Sequence, residues 1–265
     1  MSSPHVLLLG GHGKIAQLLT PLLLRRSWSV TSIIRNADQV AAVQALGNGA
    51  PAAARLTVLV RSLEDVHVQT DAQALLDELR PDYIVWSAGA GGKGAPERTQ
   101  AIDRDAAVAF VDAAAATPSV TRFLLVSYLL SRRGKASWWD DASWQKGEEV
   151  NRSTLARYYE AKLAADEALY RASQRRGSDF VAIDLRPGVL TDGPAGPVEL
   201  GRTAKALGPT SRATVAAIAD LLLAHPHARS AWVDVLDGTE EPTAAVNRVT
   251  REGVDAVEGE PVTKN

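Results

Sequence analysis

The chain contains no cysteine in its 265 residues, which excludes disulfides, a thiolate nucleophile and cysteine-ligated metal, and leaves the redox compartment open. Histidine is scarce and scattered. Of five, only His225 and His227 stand close together, in LLAHPHARS after an apolar helical run. That setting reads as a solvated helix end rather than a ligand pair, so no metal is expected. An excess of charge of one sign is equally missing, with 29 Lys and Arg against 31 Asp and Glu and a net charge of -2. A nucleic-acid partner, which needs a concentrated basic surface, is therefore not expected. No segment approaches the roughly twenty consecutive apolar residues that cross a bilayer. The opening MSSPH carries no basic region, and the apolar run behind it, Val6–Leu9, is too short for an export signal. The expectation is a cytoplasmic protein that does not engage a membrane.

What is present is 46% hydrophobic residues, arranged as apolar runs of strand length that alternate with longer stretches of helical period. That rhythm predicts an α/β chain, a parallel sheet covered on both faces, read as one domain over residues 1–265. The strand candidates are His5–Leu9, Ser29–Ile34, Leu56–Val60, Tyr83–Ser87, Arg122–Ser127, Phe180–Leu185 and Ala231–Leu236. Helices are predicted near Lys14–Arg26, Asp38–Leu46, Asp71–Leu79, Glu97–Ala116, Ser153–Arg176, Thr214–Ala224 and Thr243–Val257. Two stretches, 130–151 and 187–209, break the rhythm. Long irregular segments in a regular α/β chain are usually functional loops, so the substrate pocket is placed between them. The closing EGEPVTKN is polar and reads as loose.

The first strand runs straight into Gly10, Gly11, His12, Gly13, Lys14, Ile15 and Ala16, a glycine-x-x-glycine-x-x-alanine spacing between strand and helix. Glycines there let backbone N–H groups approach a ligand closely, and the following helix offers its positive end. A dinucleotide pyrophosphate fits that combination. The second strand ends in SIIRNADQV. Where an acid would hold the ribose hydroxyl of NAD there is Arg35, while Asp38 falls at the next helix start and serves as an N-terminal charge. Arg35, with Lys14 assisting, would attract a 2′-phosphate, so NADP is expected ahead of NAD. In DYIVWSAGAGG the fourth strand closes on small residues, and Ala88, Gly89 and Ala90 are candidate cofactor contacts, with Gly91–Gly94 read as a glycine turn.

In NRSTLARYYEAKLAADEAL, Tyr158 and Lys162 stand four residues apart on one helix face. An ammonium beside a phenol favours the phenolate and eases proton transfer to or from a carbonyl or alcohol, and a lysine there can also hold ribose hydroxyls. Tyr159, the adjacent tyrosine, reads as core.

Together GGHGKIA, WSAGAGG, FLLVSYL, YYEAK and LRPGVLTDGPAG, in that order over nearly the whole chain, resemble the short-chain dehydrogenase/reductase superfamily, in its atypical NAD(P)H-binding and epimerase/dehydratase-like branch. The resemblance implies a doubly wound Rossmann sheet of about seven strands, with Tyr158 as acid/base and Lys162 as its partner. It also implies that Pro187, Gly188 and Val189, with Leu190, lie near the nicotinamide; after the third strand, where relatives often carry an acid to meet the adenine, this chain departs with Arg61, Ser62 and Leu63, and the contact falls to Ser62 or to the backbone. The sequence departs at the third catalytic position: Ser127 resembles the serine that ends the fifth strand, but the slot of the catalytic hydroxyl holds Leu129.

Aromatic residues make up only 5% of the chain, so Trp138, Trp139 and Trp144 within seven positions stand out. They read either as a cover, with Leu129, for a flat apolar substrate or as a surface anchor or partner patch, rimmed by solvated Asp140, Asp141, Glu148 and Glu149. The function that follows is an NADP-dependent oxidoreductase acting on a small, fairly apolar carbonyl or ring. The alternatives are a dinucleotide-binding sensor with little turnover and an epimerase or dehydratase. The helices near 97–116 and 153–176 are compatible with a homodimer.

Overall fold

The computed structural model describes residues 3–90 and 96–264; the glycine turn expected at Gly91–Gly94 lies outside them. The seven predicted strands are all present, as β1 (His5–Leu9), β2 (Ser29–Ile34), β3 (Arg55–Val60), β4 (Tyr83–Trp86), β5 (Arg122–Val126), β6 (Val181–Pro187) and β10 (Ala231–Asp237). They pair in parallel in the order β3-β2-β1-β4-β5-β6-β10. An eighth strand, β8 (Val198–Gly201), adds an antiparallel edge to β10. It comes from the stretch 187–209 that reads as irregular, which also supplies a separate parallel pair, β7 (Val189–Thr191) with β9 (Pro209–Ser211).

Alternation along each strand divides the interior into two layers, because successive side chains leave a strand on opposite faces. Val6 and Leu8 of β1 pack with Leu19 and Leu23 of α1 (Lys14–Arg25) and with Val215 and Leu222 of α8 (Arg212–Ala224). Leu7 and Leu9 face the other way, toward Leu76 of α3 (Gln69–Leu79), Phe110 of α5 (Ala107–Ala116) and Leu169 of α7 (Ala156–Arg176). Between β2 and β3 lies the short α2 (Val40–Gln44), flanked by single 3-10 turns where one helix was predicted. The predicted 97–116 helix is composite: α4 (Pro96–Thr99) leads through a π-helical stretch, Gln100–Ala106, into α5.

Three sequence expectations are corrected. The stretch 130–151 is not wholly irregular but contains α6 (Asp141–Arg152), capped by Asp140, whose side chain accepts from the Ser143 amide at 2.8 Å. The last helix, α9 (Pro242–Glu252), stops at Gly253, which adopts φ 63°. The tail beyond it is not loose: Glu260 is 1% exposed, 3.3 Å from Arg132, and Val262 packs with Trp232, Leu163 and Ala256. His225 closes α8 and faces Asn247 at 3.2 Å, as a helix end.

Candidate functional site

β1 is hydrogen-bonded to β2 on one side and to β4 on the other, so the chain reverses its direction of travel across the sheet there and the carboxyl ends of β1 and β4 splay apart. The glycine turn fills that point. Gly10 has φ 86°, and a Cβ on it would lie 2.6 Å from the Ala88 backbone, so glycine is required where the two strand ends pass. Gly11 turns away from the opening, its amide donating to the Ile33 carbonyl at 2.8 Å. Gly13 caps α1 without a side chain, which leaves the first-turn amides of Lys14, Ile15 and Ala16 with no intrahelical acceptor. An uncapped helix start beside bare backbone suits an anion, and a dinucleotide pyrophosphate fits here.

The crevice has two halves that meet at Gly13 and Ser87–Gly89. The first, about 250 Å³, includes Gly10, His12, Leu63 and Ala88–Ala90 together with three guanidiniums, Arg35, Arg61 and Arg98. One carboxylate answers them: Glu64 accepts from Arg98 at 2.8 Å and stands 3.8 Å from Arg35. Arg35 is nearly half exposed on this wall. Ser62 is off this wall, its hydroxyl accepting from the Glu64 amide at 3.2 Å, while Leu63 lines it. Ala90 is fixed by its amide donating to Asp103 at 2.9 Å.

The second half, about 450 Å³, brings Tyr158 and Lys162 together with Ser127, and adds Ile15, Val126, Leu155, Leu190 and Arg212. Lys162 is 2% exposed. Its ammonium lies 5.7 Å from the centre of the Tyr158 ring, donates to the Val126 carbonyl at 3.0 Å and stands 3.5 Å from Asp103. The ammonium does pull toward the phenolate as expected, but it is outweighed here. Burial pushes the Tyr158 phenol up, and Asp103 and Asp166 push it in the same direction against the opposing pull of Lys162. Tyr158 is thus a neutral phenol, a donor rather than a standing base. Its ring packs 5.0 Å from Tyr128, whose hydroxyl donates to Asn151 at 2.9 Å.

Lys14 also lies in the second half, not beside Arg35 as expected. Its ammonium meets Asp192 at 2.6 Å, and Arg212 meets the same carboxylate at 2.6 Å. Pro187, Gly188 and Val189 do not reach the wall. Pro187 ends β6, the Gly188 amide donates to Val235 at 3.1 Å, and Val189 is 63% exposed; Leu190 is the residue of that segment that lines the crevice.

Trp138, Trp139, Trp144 and Leu129 line neither half. They form a cluster of their own with Leu130, Ala136, Ala206 and Leu236. Trp139 and Trp144 stack 5.8 Å apart, and the buried Arg132 guanidinium lies over Trp138 and Trp139 at 5.5 and 5.4 Å. An indole gains more from a close-packed apolar wall and a cation above its face than from standing open in a cleft. The placement follows the anchoring alternative. Arg212, Leu155, Asp103 and Arg98 came from no sequence signal, being assembled across the sheet. Asp166 did have one, standing at the i+4 position from Lys162 on the same helix.

Comparison with known proteins agrees with this geometry. A model of the NAD(P)H-binding family matches residues 10–226. This chain belongs to that family. The NAD(P)H-binding chain is 31% identical over 197 residues to the UPF0659 protein of Schizosaccharomyces pombe, covering 73% of this chain and 74% of that one. It is 28% identical over 190 residues to the sugar epimerase YhfK of Bacillus subtilis, itself uncharacterized, covering 71% and 73%. In fold it is similar to the oxidoreductase ylbE of Lactococcus lactis, with a TM-score of 0.69 at 19% identity over 93% of this chain and 97% of that one. The family is thus one of NAD(P)H-binding proteins, here on a Rossmann fold, and no helix among the described residues is long and apolar enough to cross a membrane.

Proposed function

We infer that this chain is an NADP-dependent oxidoreductase of the short-chain dehydrogenase/reductase type, reducing a carbonyl or conjugated ring of a small, fairly apolar molecule. The observation that carries the reading is Tyr158, a phenol kept neutral on a wall whose other residues include Ile15, Val126, Leu155 and Leu190. When bound, the dinucleotide supplies the hydride. Tyr158 gives its proton to the substrate oxygen as negative charge develops there. Lys162, locked by Asp103 and the Val126 carbonyl, keeps a cation close to the phenolate that remains and is also the group to hold ribose hydroxyls. The apolar side chains exclude water from the reacting carbon. Arg35 and Arg61, on one wall of the first half, support the choice of NADP, because only NADP offers the phosphate they match.

The name of the Bacillus subtilis relative points instead to a sugar and to a hydride that leaves and returns. The wall around Tyr158 exposes more apolar than polar surface, which favours the reductase. A second reading, a dinucleotide-responsive regulator, is favoured by Leu129 in the sequence slot of the third catalytic hydroxyl, a side chain buried in the tryptophan cluster and away from Tyr158. A panel of carbonyls and quinones followed at the NADPH absorbance band tests the three. The reductase predicts steady NADPH consumption, reduced at least about a hundredfold in Tyr158→Phe. Full activity in that variant removes Tyr158 from acid/base work; tight NADPH binding with no compound consumed supports the regulator.

A further inference from the structure

Behind Ser127 the interior holds more carboxyl groups than its cations match. Asp166 of α7, Asp184 of β6 and Asp234 of β10 are each no more than 1% exposed. The guanidinium among them, Arg186, fully buried itself, lies 3.6 Å from Asp166, 3.6 Å from Asp184 and 2.9 Å from Asp234. Lys162, the neighbouring cation, is paired with Asp103. Three carboxyls facing one guanidinium leave two charges unmatched, and an unmatched buried carboxylate is costly enough that the group takes up a proton instead. The hydrogen bonding agrees. One oxygen of Asp166, one of Asp234 and both of Asp184 have no partner among the described residues. Burial pushes the carboxyls of Asp166 and Asp234 up to about 6 and that of Asp184 well above its ordinary value.

The cluster opens in two directions. Toward the crevice, the Ser127 hydroxyl donates to Asp166 at 2.8 Å and lines the half that holds Tyr158. Away from it, Asp184 borders a cavity of about 30 Å³ between α7, β6 and β10, polar at Tyr170, Ser173, Ser230 and Asp255, with room for a water molecule.

We propose that Asp166 and Asp184, gathered on Arg186, are a buried proton store that Ser127 connects to the crevice and that recharges Tyr158 after each reduction. The proposal rests on the reductase reading for its use, though not for its existence. Each turnover leaves Tyr158 as a phenolate. Ser127 passes its hydroxyl proton into the crevice toward that phenolate and takes the proton of Asp166 on the same oxygen. Asp166 is left as a carboxylate beside Arg186 and is reloaded from Asp184 and, through the cavity, from solvent. Only protons move, and the count is unchanged: one leaves with the product and one enters from solvent. The groups around Asp166 suit this. Lys162 and Tyr158 lie on its own helix, Asp184 and Arg186 on β6, Ser127 on β5 and Asp234 on β10, so the carboxylate form always has a cation within reach. Asp166 touches no substrate and acts as a relay and positioning residue.

The test begins on the full, unliganded chain with carboxyl-carbon NMR of labelled aspartate. Asp166→Asn and Asp184→Asn assign the two signals. Asp166 is expected to hold its proton to about pH 6 and Asp184 to titrate well above the ordinary value of about 4. Ser127→Ala should move the Asp166 titration further up, because the carboxylate loses an O–H donor. Carboxylates that stay ionised from about pH 7 down to about pH 4 overturn the store and leave a plain ion pair. This arm needs no turnover, so a chain that reduces nothing sinks the reductase reading alone. The second arm follows quinone reduction by NADPH against pH. Asp166→Asn should lose roughly tenfold in kcat at about pH 5–6, where the wild-type carboxyl holds its proton, converge with the wild type above about pH 7 as that carboxyl empties, and keep its KM for NADPH. A profile parallel to the wild type overturns the relay, and Ser127→Ala with Asp184→Asn carry both arms should Asp166→Asn not fold.

Discussion

The two halves of the crevice hold charge in opposite ways. In the first, Arg35, Arg98 and Glu64 are 45%, 26% and 40% exposed at their side chains, and solvent screens each of them. In the second, apart from Lys14 and Arg212 meeting the exposed Asp192, the charge is buried: Lys162 and Asp103 are 3% and 0% exposed, and Arg186 with its three carboxyls is sealed behind them. Exposed charges can be exchanged at small cost, so the first half is where selectivity among dinucleotides is tuned. Buried charges stand or fall together, so the second half is fixed by folding before any ligand arrives.

Cutting a buried ion pair and an exposed one is the strongest way to break this contrast. Lys162→Met leaves Asp103 buried without a cation and should destabilise the fold by about 3–5 kcal/mol in urea unfolding. A loss below about 1 kcal/mol would show the second half to be wetter than described. Asp166→Asn sharpens the same point through pH. A carboxyl raised to about 6 in the folded chain, from about 4 unfolded, binds a proton on folding. Its contribution is full below the unfolded value and is lost as the pH rises toward the folded one. The stability difference between wild type and Asp166→Asn should therefore move against the wild type between about pH 4 and pH 6; a flat difference contradicts the raised carboxyl. At the small end, Asp192→Ala removes the carboxylate shared by Lys14 and Arg212. Asp192 is 62% exposed, so the melting temperature should hardly move.

The same contrast explains what could be read in the sequence. The glycine turn, Arg35 and the seven strands were legible because each is local: an apolar run, a turn without side chains, a charge at a strand end. The edge strand β8 was missed because VELG is too short to show a period and pairs only with distant β10. α6 was missed because its polar sequence shows little of the stripe it buries, which depends on Leu130 meeting Gly147 and Asn151. The tail looked loose because Glu260 is polar, and its burial comes from Arg132, more than a hundred residues earlier. The tryptophans misled in the same way, since their spacing was visible and their partners were not. Tyr158 and Lys162 were found by spacing, but the sign of the phenol's shift depends on Asp103 and on burial, which no helical pattern reveals.

The most direct measurement is the binding of NADPH and NADH to wild type and to Arg35→Ala, followed by fluorescence. The account predicts that wild type holds NADPH at least about tenfold more tightly, roughly 1.4 kcal/mol, and that Arg35→Ala removes that preference while leaving NADH binding unchanged. Equal or tighter binding of NADH by the wild type would contradict it.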